Sequence, residues 1–188
     1  SSAASDVYKR QLWGKRVLDF PEGLDAGGKP GEYLHVLAVA EQYGWNFYYP
    51  GNDGKFQGQD MKLIGPGNQY GLVKPDPKAP KESRLAEDDL ISRNDLHVVL
   101  GKPVVIEVTS KDVIHGLAIP HMRVSQDAIP GTRVPVWFKP IVAGEYEIVC
   151  AQLCGAGHYA MKAKIIVEKQ EAFDSFIKEL NDMQHPVK

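Results

Sequence analysis

The chain has 188 residues, 43% of them hydrophobic, with 22 basic and 24 acidic side chains and a net charge of -2. That length supports one real core and gives no compositional reason for a second domain; the charges are interspersed, so no basic field points to nucleic acid as a partner. No stretch approaches the roughly 18 consecutive apolar residues of a membrane span, and the first thirty residues lack a signal-peptide apolar region, so membrane association is expected only through a complex or a missing anchor.

In chain order, residues 1–30 read as an N-terminal extension and 31–188 as a single domain. Tyr33 to Ala40 alternates loosely and is rich in branched and aromatic side chains, as are Val104 to Thr109 and Arg133 to Phe138, which predicts strands. Residues 65–96 combine Gly, Pro and charge and are expected to form a long surface excursion. Within it the acidic run Glu87-Asp88-Asp89 is expected to be a solvated face. Gly144 to Cys150 places Tyr146, Ile148 and Cys150 on one face, and Met161, Ala163, Ile165 and Val167 resume the period of two, so the segment between joins two strands. Turn signals such as Pro50-Gly51-Asn52-Asp53-Gly54 and Ile129-Pro130-Gly131 punctuate the chain as in an all-β, antiparallel Greek-key sandwich. Phe173, Phe176, Ile177 and Leu180 follow helical spacing and predict a C-terminal helix over 170–183.

Only two cysteines occur, Cys150 and Cys154, too few and too local for a disulfide framework. A small-loop disulfide, a redox dithiol and a pair of metal thiolates are the candidates. The neighbours decide among them: Cys150-Ala-Gln152-Leu-Cys154-Gly-Ala-Gly-His158-Tyr-Ala-Met161 is preceded by His115 in Asp112-Val-Ile-His-Gly. Two thiols, two imidazoles and a thioether form a soft or borderline donor set; zinc has little use for the thioether, so Met161 tilts the choice to copper. No acidic residue lies between Cys150 and Met161 to serve as a hydrolytic base, so electron transfer fits better than hydrolysis. Gly155 and Gly157 are expected to supply unusual backbone angles in the loop. His121 and Met122, close after His115, read as loop residues, and His35, His97 and His185 as ordinary strand or surface histidines.

The order His, then Cys-x-x-x-Cys-x-x-x-His-x-x-Met, with Asp112-Val-Ile-His115 and Asp127-Ala-Ile-Pro-Gly131, resembles subunit II of haem-copper cytochrome c oxidase over roughly residues 33–50 and 97–180. The resemblance implies a cupredoxin fold and a binuclear CuA centre of two copper ions bridged by Cys150 and Cys154. It assigns His115 to one copper and His158 to the other, with Met161 and the backbone carbonyl of Gln152 as weak ligands. Many members carry Glu at position 152 and use it at a magnesium site facing subunit I. A neutral amide is a poorer ligand for a hard cation, which weakens the case for magnesium here.

In Glu41-Gln-Tyr43-Gly-Trp45-Asn-Phe47-Tyr-Tyr49 the family's electron-receiving tryptophan aligns with Tyr43 and its second tryptophan with Trp45. Both are candidates for that role, while Phe47 and Tyr49 are expected to pack. The implied function is to accept electrons from cytochrome c, or another small donor, and pass them to oxidase subunit I for oxygen reduction. The implied location is the outer face of an energy-transducing membrane, periplasmic in a bacterium or facing the intermembrane space in a mitochondrion. The alternatives are the CuA domain of a nitric oxide or nitrous oxide reductase, and a Cys-x-x-x-Cys copper chaperone on a thioredoxin-like fold, which would need alternating strands and helices around the cysteines.

Overall fold

A computed structural model describes residues 33–51, 54, 56, 61–63 and 89–184. The expected N-terminal extension, most of the 65–96 excursion and His185 lie outside the described residues.

The described residues open with β1 (Leu34–Glu41) and β2 (Gly44–Tyr49), a tight hairpin whose register runs from Leu37↔Tyr48 to Glu41↔Gly44. Then follow β3 (Leu90–Arg93), β4 (Asp95–Val99), β5 (Val104–Ser110), β6 (His115–Ile119), β7 (Val124–Ala128), β8 (Val134–Phe138), β9 (Gly144–Cys150), β10 (Lys162–Glu168) and the helix α1 (Gln170–Gln184). The strands form two five-stranded sheets, ordered β3-β2-β1-β5-β8 and β4-β10-β9-β6-β7. Val36, Ala38, Phe47, Ile106 and Val108 of the first sheet share one core with Leu96, Val98, Leu117, Ile148 and Ile165 of the second. Strand β10 shows the patterning plainly: Ala163, Ile165 and Val167 point in, while Lys162 and Lys164 are exposed.

The expected sandwich is present, but its pairing is mixed where antiparallel pairing was expected. Strands β1 and β5 run parallel, as do β4 and β10. A hairpin dictates antiparallel pairing only between strands consecutive in one sheet. Here β3 to β4, β4 to β5, β5 to β6, β7 to β8 and β8 to β9 all change sheets, so later strands meet earlier ones without that constraint.

The surface excursion is also shorter than expected at its C-terminal end. Leu90–Arg93 is an edge strand paired with β2, with Leu90 and Ser92 buried, and Asp95–Val99 is β4. Asp89, expected on a solvated face, is buried. An edge strand needs only alternate residues inward, so its composition resembles that of a loop.

Helix α1 closes the far end of the sandwich. Phe173 and Leu180 are buried. The Phe173 ring lies 6.0 Å from that of Tyr49, and Phe176 stacks at 3.6 Å on His97.

Candidate metal centre

The site forms at the end of the second sheet where β6 begins and β9 ends. Antiparallel pairing sets Leu117 opposite Cys150. His115, two residues before Leu117 and on the same face of β6, therefore overhangs the loop that follows Cys150. That loop leaves β9 at Cys150 and returns into β10 through a 3-10 turn, His158–Ala160. It is closed by backbone bonds from Cys150 N–H to the Met161 carbonyl at 3.2 Å and from Met161 N–H to the His158 carbonyl at 3.1 Å.

These supports gather the six sequence candidates. The thiols of Cys150 and Cys154 are free and their sulfurs lie 3.8 Å apart, well beyond the about 2.05 Å of a disulfide. Nδ1 of His115 lies 3.2 Å from the Met161 sulfur and 3.9 Å from the Cys150 sulfur. Nδ1 of His158 lies 3.8 Å from the Cys154 sulfur, which is 3.7 Å from the Met161 sulfur. The Gln152 carbonyl accepts from the Cys150 thiol at 3.2 Å. His115, Cys150 and Cys154 are buried and present their donor atoms within 4.8 Å of one another, a group that could hold a metal ion. His121 and Met122 lie in the β6–β7 connection, where the His121 ring sits 5.1 Å from Tyr146 and Met122 packs on the core.

The orientation of His115 has a visible cause. Its Nε2 lies 2.8 Å from Oδ1 of Asp112. A carboxylate only accepts, so the ring proton sits on Nε2 and leaves the Nδ1 lone pair facing the sulfurs. Burial acts to raise the Asp112 pKa, but hydrogen bonds from His115 and from the Gln42 and Val113 N–H groups outweigh it and hold the carboxyl below its ordinary range. Burial pushes the Cys154 thiol up to about 11, and Cys150 beside it acts in the same direction. A metal that takes the pair as thiolates must displace their protons.

The β1–β2 turn covers the loop. Gly155 has φ +137°, which favours glycine. Gly157 departs from expectation, because its φ is an ordinary -90°. Its role is steric: a Cβ there would meet the Tyr43 ring at 2.5 Å. Tyr43 is 41% exposed, whereas Trp45 is fully buried with its ring 6.3 Å from that of His115. The Gln152 side chain does not reach into the site; its amide donates to Asp127 on β7 at 3.0 Å. Asp112, named in the sequence only as part of the motif around His115, and Gln42 are supporting residues to which the sequence assigned no role. Asp112 stood three before His115, a usable signal; Gln42 carried none.

A cupredoxin-like sandwich with a buried cluster of soft donors at one end is the class of protein that this fold and site define. The chain belongs to the cytochrome c oxidase subunit II family: the family described as "Cytochrome C oxidase subunit II, periplasmic domain" matches residues 34–170. It is 36% identical over 151 residues to the alternative cytochrome c oxidase subunit 2 of Bradyrhizobium diazoefficiens, covering 80% of this chain and 52% of that protein. It is 29% identical over 149 residues to cytochrome c oxidase subunit 2 of Cereibacter sphaeroides, covering 77% of this chain and 48% of the relative. The chain thus spans about half the length of these relatives. The crystal structure of the periplasmic domain of subunit II of cytochrome oxidase from Bradyrhizobium japonicum superposes with a TM-score of 0.57 at 26% identity, covering 82% of this chain and 97% of that one. Among the described residues no helix is long and apolar enough to cross a membrane.

Proposed function

We propose that this domain is the electron-accepting unit of a haem-copper oxidase and holds two copper ions as a CuA centre. The observation that carries the reading is the convergence of two unbonded thiols 3.8 Å apart with two imidazole Nδ1 atoms and a thioether, His115 and Cys150 placed by strands and the others by the loop between β9 and β10. Cys150 and Cys154 would supply the thiolates. His115 and Met161, whose Nδ1 and sulfur lie 3.2 Å apart, would serve one copper, and His158 with the Gln152 carbonyl the other. A copper pair bound here supplies one-electron redox chemistry, with the charge change spread over two metals.

The protein's part is rigidity and exclusion of water. His115, Cys150, Cys154 and Met161 are all buried, so the donor set can hold one geometry in both redox states. Tyr43 is the electron-receiving residue, because its ring is exposed and lies against the ligand loop at Gly157. Trp45 is buried and serves packing beside His115. The donor is a cytochrome c or another small carrier, the acceptor is oxidase subunit I, and the domain stands on the outer face of the membrane. Magnesium has no ready ligand in the Gln152 side chain, which is engaged with Asp127. The chaperone alternative lacks support, because strands flank both ends of the loop where a thioredoxin-like fold alternates strand and helix.

Copper reconstitution tests the reading. Two coppers per chain, a purple colour and a paramagnetic resonance spectrum of one electron shared over two nuclei are expected; a single copper with blue-site features would refute the assignment.

A further inference from the structure

Outside the donors themselves, Gln42 bridges the two halves of the site through its backbone and its side chain together. The halves come from different places in the chain: His115 from β6, held by Asp112, and the remaining donors from the 150–161 loop. Gln42, in the β1–β2 turn of the opposite sheet, bonds to both. Its backbone N–H donates to Oδ2 of Asp112 at 2.7 Å, the carboxylate whose Oδ1 accepts from His115 Nε2 at 2.8 Å. Its side-chain amide donates to the backbone carbonyl of Cys154. The same amide nitrogen and the Tyr43 hydroxyl crowd Gly155, within 2.7 Å and 2.6 Å of where a Cβ would stand.

We infer that Gln42 is a positioning residue for the metal centre, clamping the ligand loop through the Cys154 carbonyl while its own N–H fixes the Asp112–His115 pair. The inference rests on the copper reading for its consequence and on hydrogen-bond geometry for its substance. The Cys154 carbonyl belongs to the peptide that follows the thiol-bearing carbon, so a donor fixed on that oxygen restrains where the sulfur points. The clamp also ties the first sheet to the second at the edge of the site. The loop is thus held at Cys150 by β9, at Met161 by β10 and, between them, at Cys154 by Gln42.

The test compares the unaltered chain with Gln42→Ala, which removes the amide donor, and Gln42→Glu, which sets a carboxylate against the Cys154 carbonyl. In the reduced, metal-free protein, alkylation of Cys150 and Cys154 by iodoacetamide is followed by mass spectrometry. Loss of one hydrogen bond restraining the loop is expected to speed alkylation about three- to ten-fold in Gln42→Ala, and more in Gln42→Glu. The unfolding midpoint should fall by no more than the about 2–4 °C that one such bond accounts for. After copper loading, the hyperfine pattern should change at unchanged copper stoichiometry, which a merely structural role would not produce. Alkylation at the unaltered rate overturns the inference, as does a faster rate matched by a larger loss of global stability or a copper spectrum identical to that of the unaltered chain. If the unaltered chain takes up no second copper, the functional reading fails, and the alkylation rates still decide whether Gln42 clamps the loop.

Discussion

At the scale of single residues, the donors divide by how much of the centre each one carries. In the proposed copper centre Cys150 and Cys154 would each offer a shared sulfur, so Cys150→Ser or Cys154→Ser should abolish the shared-electron spectrum in paramagnetic resonance. Met161 is buried and of similar volume to leucine, so Met161→Leu should fold with a cost below about 1.5 kcal/mol. It should retain two coppers and shift their reduction potential, measured by redox titration; loss of all copper would contradict a weak-ligand role. Asp112 acts one bond further out. Replacing the partner that orients a metal-bound imidazole costs about ten- to a hundred-fold in affinity, and Asp112→Asn should show a loss of that size in copper competition titrations.

At the scale of elements, the β1–β2 turn and the 150–161 loop fit as cover and base. Gly157 allows that contact, and because its φ of -90° suits any residue, Gly157→Ala acts through the space it takes from Tyr43 rather than through backbone strain. The alanine methyl would stand 2.5 Å from Cδ2 of the ring, so the turn must lift. The expected outcome is slower electron uptake from a cytochrome c donor in stopped flow with copper content unchanged.

Much of this arrangement was legible in the chain. The cysteine loop and its flanking strands stood out because β9 and β10 each bury one face, giving a clean alternation through Ile148, Cys150, Met161 and Ala163. The edge strand β3 did not, because Ser92 within it and Asp89 just before it are buried polar residues that composition assigns to solvent. The parallel pairs were not legible either. Register between β1 and β5 is decided by sheet-changing connections, and no local pattern encodes them. Gln42 was invisible because its hydrogen bonds reach Asp112, 70 residues away, and Cys154, 112 residues away.

At the scale of the whole molecule, the first sheet is knit by ion pairs that make its stability depend on pH. Glu41 at the end of β1 meets Lys111 at 2.8 Å and Arg93 at 3.2 Å, which joins β1 to the end of β5 and to β3. Burial acts to raise the Glu41 pKa, but Lys111, Asn46 and Arg93 outweigh it and hold it below its ordinary 4.5. Glu107 on β5 is held down chiefly by its hydrogen bond with His35 on β1, burial opposing, with Arg133 adding to the depression. A carboxyl with a lowered pKa binds its proton more weakly in the folded state than in the unfolded one. Its stabilisation is therefore fully present above about pH 4.5 and is lost as the pH falls from there through the folded value. Urea unfolding of the metal-free chain should give a constant contribution from these groups between pH 7 and pH 5 and a declining midpoint below pH 4.5. Glu41→Gln should lower the midpoint at pH 7 and flatten the decline, because the variant has one fewer proton to take up on unfolding. If Glu41→Gln instead left the acid limb as steep as in the unaltered chain, the pairs at Glu41 would contribute nothing to acid sensitivity, and that sensitivity would have to arise elsewhere in the molecule.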